Sequence, residues 1–206
     1  MSTLLQLNSS LFSTGGQSSR LSDQFVARWR GAHPGGEVIV RDLARDPVPH
    51  LTAERFQAFL AKPADRSAAQ QAVVEESDAL IDELKRADVI VLGLPMYNFG
   101  VPSTLKAYFD HIARAGVTFR YTDSGPSGLL TGKKAYVFAA RGGRYDRTPA
   151  DSQTAFVRQF LGFLGIADVE FVYAEGLAIS TAAKEAGLAR AERAIRKLVE
   201  PALAAA

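Results

Sequence analysis

The chain has 206 residues, with 24 lysines and arginines against 22 aspartates and glutamates, so its formal net charge is +2. This balance, without any run of basic residues, gives no electrostatic footprint for nucleic acid. Cysteine is absent and three histidines are scattered, which excludes disulfides and cysteine nucleophiles and leaves no metal-ligand spacing. With no signal-like segment and no apolar run near the ~20 residues that span a bilayer, we expect one cytoplasmic domain, residues 1–206.

The first predicted strand, Leu4–Leu7, is followed by a loop of small and hydroxylated residues between positions 8 and 19. Apolar residues every four positions from Leu21 to Trp29 then mark one face of a helix, with Ser18 or Ser19 as its expected N-cap. Free N–H groups at such a helix start bind anions. The glycine patterns of dinucleotide and nucleoside triphosphate sites are absent, which favours a phosphomonoester. A flexible, solvent-exposed loop is the alternative.

The next segment contains a strand at Val38–Val40 and then a proline-rich stretch, residues 47–65, with a short helix near Ala53–Leu60. This stretch is too long for a simple connection. We therefore expect it to pack against another surface, such as a partner subunit. A long helix, Ala68–Arg86, follows with an apolar stripe that includes Val73.

A continuous apolar run rich in β-branched residues, Val89–Leu94, predicts a third strand that is buried on both faces. It breaks at Pro95 into the loop 96–100, and a helix begins at Pro102–Ser103 and ends near Ala115–Gly116. The loop offers a sulfur, two aromatic rings and an amide, a set that suits a flat, heteroatom-rich ring. An ordinary connection between strand and helix is the alternative.

The rest of the chain completes an α/β pattern. Residues 118–128 read as an excursion over the ligand edge of the sheet, and Lys134–Ala140 is a fourth strand. A helix around Phe156–Leu164, a strand at Val169–Tyr173 and a last helix over 182–203 follow. Five strands that alternate with helices predict a flavodoxin-like, three-layer, doubly wound five-stranded parallel sheet in the order 2-1-3-4-5.

In this strand order, the loops after the first, third and fourth strands meet in one crevice at the carboxyl edge. The first loop suits an anion and the second a flat ring. The third brings Arg141 and two glycines, which let the backbone approach a ligand closely. A phosphate at one end and a flat ring at the other predict flavin mononucleotide (FMN).

Several long motifs now give the chain a family resemblance. Met96-Tyr97-Asn98-Phe99, the following Pro102-x-x-Leu105-Lys106-x-Tyr108-Phe109-Asp110 and the stretch 113–122 resemble the FMN-dependent NADH-azoreductases, which are flavodoxin-like quinone and azo reductases. Gly132-Lys133-Lys134-Ala135, Arg141-Gly142-Gly143, the stretch 160–166 and Ala174-Glu175-Gly176 agree as well. The similarity runs from Ser9-Ser10 to the final helix.

The resemblance implies an oxidoreductase that binds FMN and takes electrons from NADH or NADPH. It would reduce quinones and azo compounds by ping-pong, two-electron hydride transfer. It implies a homodimer with active sites at the interface. Separately, the charge balance, the lack of a long apolar run and the scattered histidines predict no role for a nucleic acid, a membrane or a metal. Because the flavin carries the chemistry, no side chain is assigned as catalytic.

The resemblance also implies roles for residues, three loops in turn. The phosphate would be held by Ser10, Gly16, Gln17 and Ser18; the ring and ribityl chain by Met96, Tyr97, Asn98 and Phe99; and the pyrimidine side by Ala140, Arg141, Gly142 and Gly143. Two positions depart from the family pattern. Gly16 stands where a hydroxyl residue is common, although its backbone N–H can still donate, and Ala140 replaces a frequent serine.

Four aromatic residues are candidate walls of the substrate pocket: Phe119, Tyr121, Tyr145 and Phe163. Tyr145 lies where some relatives carry histidine, and each of the other three fits a core position equally well. Arg141 either adds positive charge beside the ring or makes a surface salt bridge.

Three other protein classes share this fold. A flavodoxin-type electron carrier, without a substrate of its own, is the main alternative, but such carriers resemble one another in being strongly acidic. A low-molecular-weight phosphatase needs a nucleophilic cysteine, which the chain lacks. A phosphate-receiver domain needs an acidic cluster where this chain has Asn8-Ser9-Ser10.

Overall fold

The structure, a computed structural model, describes residues 2–204. Its main sheet has five parallel strands: β1 (Thr3–Asn8), β2 (Glu37–Asp42), β3 (Val89–Pro95), β6 (Lys134–Ala140) and β7 (Asp168–Ala174). Two short strands, β4 (Phe119–Thr122) and β5 (Gly125–Gly128), pair antiparallel in a separate hairpin. The strand order in the main sheet is β2-β1-β3-β6-β7, which confirms the predicted order 2-1-3-4-5.

Helices cover both faces of the sheet. They are α1 (Gln17–Ala32), α2 (Ala53–Leu60), α3 (Ala68–Arg86), α4 (Ser103–Ile112), α5 (Ser152–Phe163) and α6 (Thr181–Ala204). Successive side chains of a strand point to opposite faces, so Leu4 packs with α1 and α6 while Leu5 packs with α3, α4 and α5. On α3, Val74 rather than Val73 is buried. Between residues 2 and 204, no helix is both long and apolar enough to cross a membrane.

The register of the strands brings their carboxyl ends to one edge. Asn8 at the end of β1 pairs with Gly93 of β3, and Pro95 at the end of β3 pairs with Ala140. Ala140 in turn pairs with Ala174, the last residue of β7. The loops that follow β1, β3, β6 and β7 therefore leave from the same edge, which is where ligands bind in open α/β sheets.

The start of α1 differs from the prediction. The helix begins at Gln17, and Gly16 is its N-cap, with extended backbone angles of φ −70° and ψ 144°. The prediction of an N-cap at Ser18 or Ser19 is therefore wrong, because both serines lie inside the first turn. Both are also fully buried.

The β4–β5 hairpin also differs, because its base lies at the amino edge of the sheet. Leu130 N–H donates to the Leu164 carbonyl at 2.8 Å, and the Gly128 backbone packs on Gly165, between α5 and β7. The prediction that this segment covers the ligand edge is wrong. Helix α4 ends early, at Ile112, where the Thr118 hydroxyl donates to its carbonyl at 2.6 Å.

Candidate functional site

The first turn of α1 offers a set of unpaired donors. In the described part of the chain, the backbone N–H groups of Gln17, Ser18 and Ser19 have no acceptor; the first helical bond runs from Arg20 N–H to the Gly16 carbonyl. The hydroxyls of Ser18 and Ser19 are buried and also lack a partner there. Buried polar groups without partners are costly. Together with the dipole of α1, they fit a bound anion such as a phosphate.

The neighbouring loop explains why residue 16 is a glycine. A Cβ atom on Gly16 would lie 2.1 Å from the Ser10 hydroxyl oxygen, and Ser10 is only 1% exposed. That oxygen accepts a hydrogen bond from Phe12 N–H at 3.2 Å. The Gly16 N–H donates to the Ser13 carbonyl at 3.2 Å. It is therefore engaged within the loop, contrary to the prediction that it donates to a ligand.

A glycine in β3 lets α1 sit close to the sheet. A Cβ on Gly93 would lie 2.9 Å from the Ser22 hydroxyl and 3.2 Å from the Ser18 carbonyl. The first turn of α1 therefore packs directly on the end of β3. The sequence interpretation did not single out Gly93 as functional, although a glycine within a buried strand is a sign of close backbone approach.

The loop after β3 contains a tight two-residue turn. Tyr97 and Gly100 exchange backbone hydrogen bonds at 3.2 and 3.0 Å, and the residues between them, Asn98 and Phe99, have φ values of 49° and 63°. This left-handed backbone is typical of a type I′ turn, and it is unfavourable for a bulky residue such as phenylalanine. Among residues 2–204, the N–H groups of Asn98 and Phe99 have no acceptor. The turn thus presents two backbone donors.

Hydrogen bonds from a side chain and from the backbone fix this turn to its neighbours. The Gln153 amide donates to the carbonyls of Pro95 and Gly100, both at 2.8 Å. Met96 N–H donates to the Ala140 carbonyl at 3.1 Å, which ties the turn to the end of β6. A groove of about 510 Å³ opens beside the turn, lined mainly by apolar surface of α4 and α5.

Arg141 is buried and pairs with two carboxylates through its two Nη atoms, whereas its Nε has no partner among the described residues. Its guanidinium binds both Asp151 oxygens at 2.9 and 3.0 Å and one Glu175 oxygen at 3.2 Å, and the residue is 1% exposed. Burial opposes ionisation of Asp151, but hydrogen bonds from Arg141 and Thr154 hold the pKa of that carboxyl below its ordinary value. The predicted surface salt bridge is wrong. With two carboxylates against it, the Arg141 charge is neutralised locally.

The N–H groups of residues 141–143 do not all have the same surroundings, because Arg141 N–H donates to the Ala174 carbonyl at the end of β7, at 2.9 Å. The carbonyls of Arg141, Gly142 and Gly143 accept from the N–H groups of the loop 176–178. In a trans peptide, a carbonyl and the following N–H point in opposite directions. The N–H groups of Gly142 and Gly143 therefore point away from the loop 176–178 that follows β7.

The predicted pocket aromatics fall into two groups. Tyr145 lies over Gly143 and contacts Phe99 edge to face, with ring centroids 5.8 Å apart. Phe119 instead packs on Tyr121 and Phe163, at 5.4 and 4.3 Å. Phe163 is the last residue of α5, about 16 Å along the helix from Ser152, which lies beside the loop after β3. Of these four aromatic residues, only Tyr145 contacts the loops after β3 and β6 within its own chain.

Comparison with known proteins assigns the chain to a family. A family model described as "Flavodoxin-like fold" matches residues 2–199. Proteins named FMN-dependent NADH:quinone oxidoreductase are similar as well: that of Cellvibrio japonicus is 58% identical over 86% of this chain and 89% of its own length. That of Burkholderia pseudomallei is 56% identical over 95% and 98%. The chain belongs to this flavodoxin-like reductase family.

Solved structures of the family agree with the fold. The azoreductase AzrA superimposes with a TM-score of 0.88 at 28% identity, over 96% of this chain and 99% of that one. An FMN-dependent NADH-azoreductase from Bacillus anthracis, solved in complex with FMN, superimposes with a TM-score of 0.85 at 26% identity, over 97% and 100%. The sequence-based resemblance to this family is confirmed.

The two carboxylate partners of Arg141 were not predicted from the sequence. Asp151 caps α5 by accepting from Thr154 N–H at 3.1 Å, and Glu175 directly follows β7. Both are far from Arg141 in the sequence. One signal in the sequence pointed to such partners. Arg141 comes directly after a buried strand, and a buried cation requires carboxylate partners.

Proposed function

We propose that this protein is an FMN-dependent oxidoreductase that transfers electrons from NADH to quinones and azo compounds. One observation carries the proposal. At the start of α1, backbone N–H groups and buried serine hydroxyls have no hydrogen-bond partner among the described residues. They lie at the same edge of the sheet as the turn at Asn98–Phe99, whose two N–H groups are also free there. The names of the relatives support the same activity. A cytoplasmic location belongs to the proposal, because NADH is an intracellular electron donor.

The residues of the three loops fit FMN. The N–H groups of Gln17 and Ser18, with the Ser18 and Ser10 hydroxyls, would bind the phosphate. Met96–Phe99 would line the ring and the ribityl chain. The N–H groups of Gly142 and Gly143 would stabilise negative charge on the pyrimidine side. When bound, FMN supplies the two-electron hydride chemistry, and the protein supplies position and electrostatics.

Ping-pong kinetics are part of the proposal. The electron donor and the acceptor would each bind at the exposed face of the FMN ring. An electron donor and an acceptor that use this site in turn cannot form a ternary complex. Parallel lines in double-reciprocal plots at several acceptor concentrations support this part, and intersecting lines contradict it.

A homodimer with active sites at its interface is the last part. Tyr121 is 75% exposed although it is large and aromatic, and its cluster does not reach the site within its own chain. A second copy is a source of such aromatics for the site. Sedimentation equilibrium of the wild-type protein and of Tyr121→Asp tests this: we expect a dimer that Tyr121→Asp weakens, and a wild-type monomer that turns over substrate contradicts it.

The central experiment measures FMN binding and turnover. We expect FMN to bind the purified protein and to support NADH oxidation by a quinone and by an azo dye. Ser18→Ala should raise the FMN dissociation constant about tenfold, the factor for one charge-assisted hydrogen bond. It should not destabilise the FMN-free protein, because the hydroxyl has no partner there.

Ser180→Ala is the matched control, because Ser180 caps α6 through Ala183 N–H at 3.1 Å. It should weaken that helix and leave FMN affinity unchanged. A protein that shows no flavin absorption bands after FMN addition contradicts the site. An FMN-loaded protein without turnover contradicts the enzyme and favours an electron carrier.

A further inference from the structure

The loops after β6 and β7 are joined through one carboxylate. Glu175 is the first residue after β7, and its side chain is 11% exposed. One of its oxygens, Oε1, accepts from the N–H groups of Tyr145 and Asp146, both at 2.9 Å. The same atom accepts from Arg141 at 3.2 Å. A single oxygen atom therefore ties residues 145 and 146 of the β6–α5 loop to the end of β7.

The Arg141 charge explains why a carboxylate fits this position. Arg141 binds Asp151 through two hydrogen bonds, and the Nη1 that makes one of them also donates to Glu175. The ends of β6 and β7 and the start of α5 are thereby connected. A guanidinium in a fixed geometry holds the Glu175 carboxylate in one rotamer. Its oxygen is thereby aimed at the two amide groups.

These two amides determine where the Tyr145 ring lies. A Cβ on Gly143 would lie 2.7 Å from the Tyr145 ring, so this ring packs directly on the glycine, and its edge-to-face contact is with Phe99. In the part of the chain that the structure describes, the N–H groups of Tyr145 and Asp146 have no acceptor besides Glu175. The Tyr145 carbonyl is bound separately, since it accepts from Thr148 N–H at 2.9 Å, so the carboxylate is what holds the amide side of this segment.

We propose that Glu175 is a positioning residue that sets acceptor recognition by holding Tyr145 against Phe99 at the mouth of the cofactor site. The proposal rests on the proposed function, in that Tyr145 there contacts a planar acceptor. Glu175 does not hold the cofactor itself, because the carbonyls of Gly142 and Gly143 are bound by backbone N–H groups of residues 176 and 178. The expected effect falls on the KM of the acceptor rather than on FMN affinity.

The first test needs no cofactor. Amide hydrogen exchange in the FMN-free protein should accelerate about 10- to 100-fold at Tyr145 and Asp146 in Glu175→Ala, the factor for a hydrogen bond to a charged acceptor. Glu175→Gln retains an acceptor oxygen and should restore most of the protection. Glu170→Ala is the control, because Glu170 lies on β7 and faces Lys134 at 3.5 Å. Protection in β1 and β3 shows that each variant is folded.

The second test is a double-mutant cycle on the FMN-loaded enzyme. We expect Glu175→Ala and Tyr145→Ala each to raise the KM for a quinone severalfold, with a smaller change in kcat, and the double variant to equal Tyr145→Ala alone. Additive effects contradict action through Tyr145. Unchanged exchange at Tyr145 and Asp146 in a folded Glu175→Ala protein overturns the proposal outright.

Failure of the proposed function is distinguishable from failure of this inference. If wild-type protein does not bind FMN, the proposed function fails, whatever the exchange data show. If wild-type protein binds FMN and reduces quinones while Glu175→Ala keeps wild-type exchange and KM, the proposed function stands and the role of Glu175 is refuted.

Discussion

Replacing Gly16 with alanine should destabilise the protein for reasons of space alone. The backbone at Gly16, with φ −70° and ψ 144°, suits any residue, so no strain comes from the dihedral angles. The obstacle is Ser10: a Cβ at position 16 would lie 2.1 Å from its hydroxyl oxygen and 2.5 Å from its Cβ. Because Ser10 is buried, its side chain has no free space to enter.

The size of the effect follows from these contacts. Overpacking a buried site costs about 1–3 kcal/mol. Turning the Ser10 hydroxyl away also removes its bond with Phe12 N–H, which contributes about 1 kcal/mol. We expect Gly16→Ala to lower the free energy of unfolding by about 2–4 kcal/mol in urea denaturation of the FMN-free protein. Gly15→Ala is the control, because its nearest new contact is Phe12 Cβ at 3.9 Å.

A second substitution at Ser10 identifies the clashing atoms. Ser10→Gly removes both the hydroxyl and the Cβ, so it should rescue Gly16→Ala, whereas Ser10→Ala leaves the Cβ at 2.5 Å and should rescue it poorly. The reasoning is refuted if Gly16→Ala unfolds within about 0.5 kcal/mol of wild type. It is also refuted if Ser10→Ala rescues as fully as Ser10→Gly.

Three further predictions follow from buried or strained groups. Burial lowers the pKa of His111 in the folded state, so the free energy of unfolding should be highest above about pH 6.5 and should fall as the pH drops below it. Urea denaturation at about pH 7.5 and 5.5 measures this loss. The control variant His50→Gln should show the loss, and His111→Gln should show much less of it. Arg141→Met leaves the buried Asp151 carboxylate without its cation. It should lower the free energy of unfolding, measured by denaturant titration, by about 3–5 kcal/mol. A loss of less than about 1 kcal/mol contradicts the role of the buried ion pair. Phe99→Gly replaces a bulky residue whose backbone is left-handed, and it should stabilise the FMN-free protein by up to about 1 kcal/mol in thermal unfolding. It should also weaken FMN binding. Lower stability together with unchanged FMN binding contradicts the assignment of strain to this turn.

The sequence predicted best what depends on long, regular patterns. The apolar run of β3 identified a central strand, and the alternation of strands and helices led to the observed sheet order. The β4–β5 hairpin was harder to place, because Gly125–Gly128 has no strand propensity and is held by a backbone contact with the distant Gly165. Local composition contains no information about such a contact.

Details at the loops depend on a few atoms that the sequence does not place. A serine is a better N-cap than a glycine by propensity, but the space beside Ser10 requires glycine at position 16. Similarly, Arg141 after a strand is compatible with a surface pair or a ligand contact, and only the fold brings Asp151 and Glu175 to it.

The proposed cofactor site depends more on backbone than on side chains. Its donors at Asn98–Phe99 and Gly142–Gly143 are backbone N–H groups, oriented by a turn type and by hydrogen bonds between the loops after β6 and β7. Side chains can therefore change there as long as the backbone geometry persists. The residues that fix this geometry should tolerate less change. Gly16, Gly93 and Glu175 meet that condition: the first two because neighbouring atoms fill the space of a Cβ, and the third because two loop amides share its carboxylate oxygen.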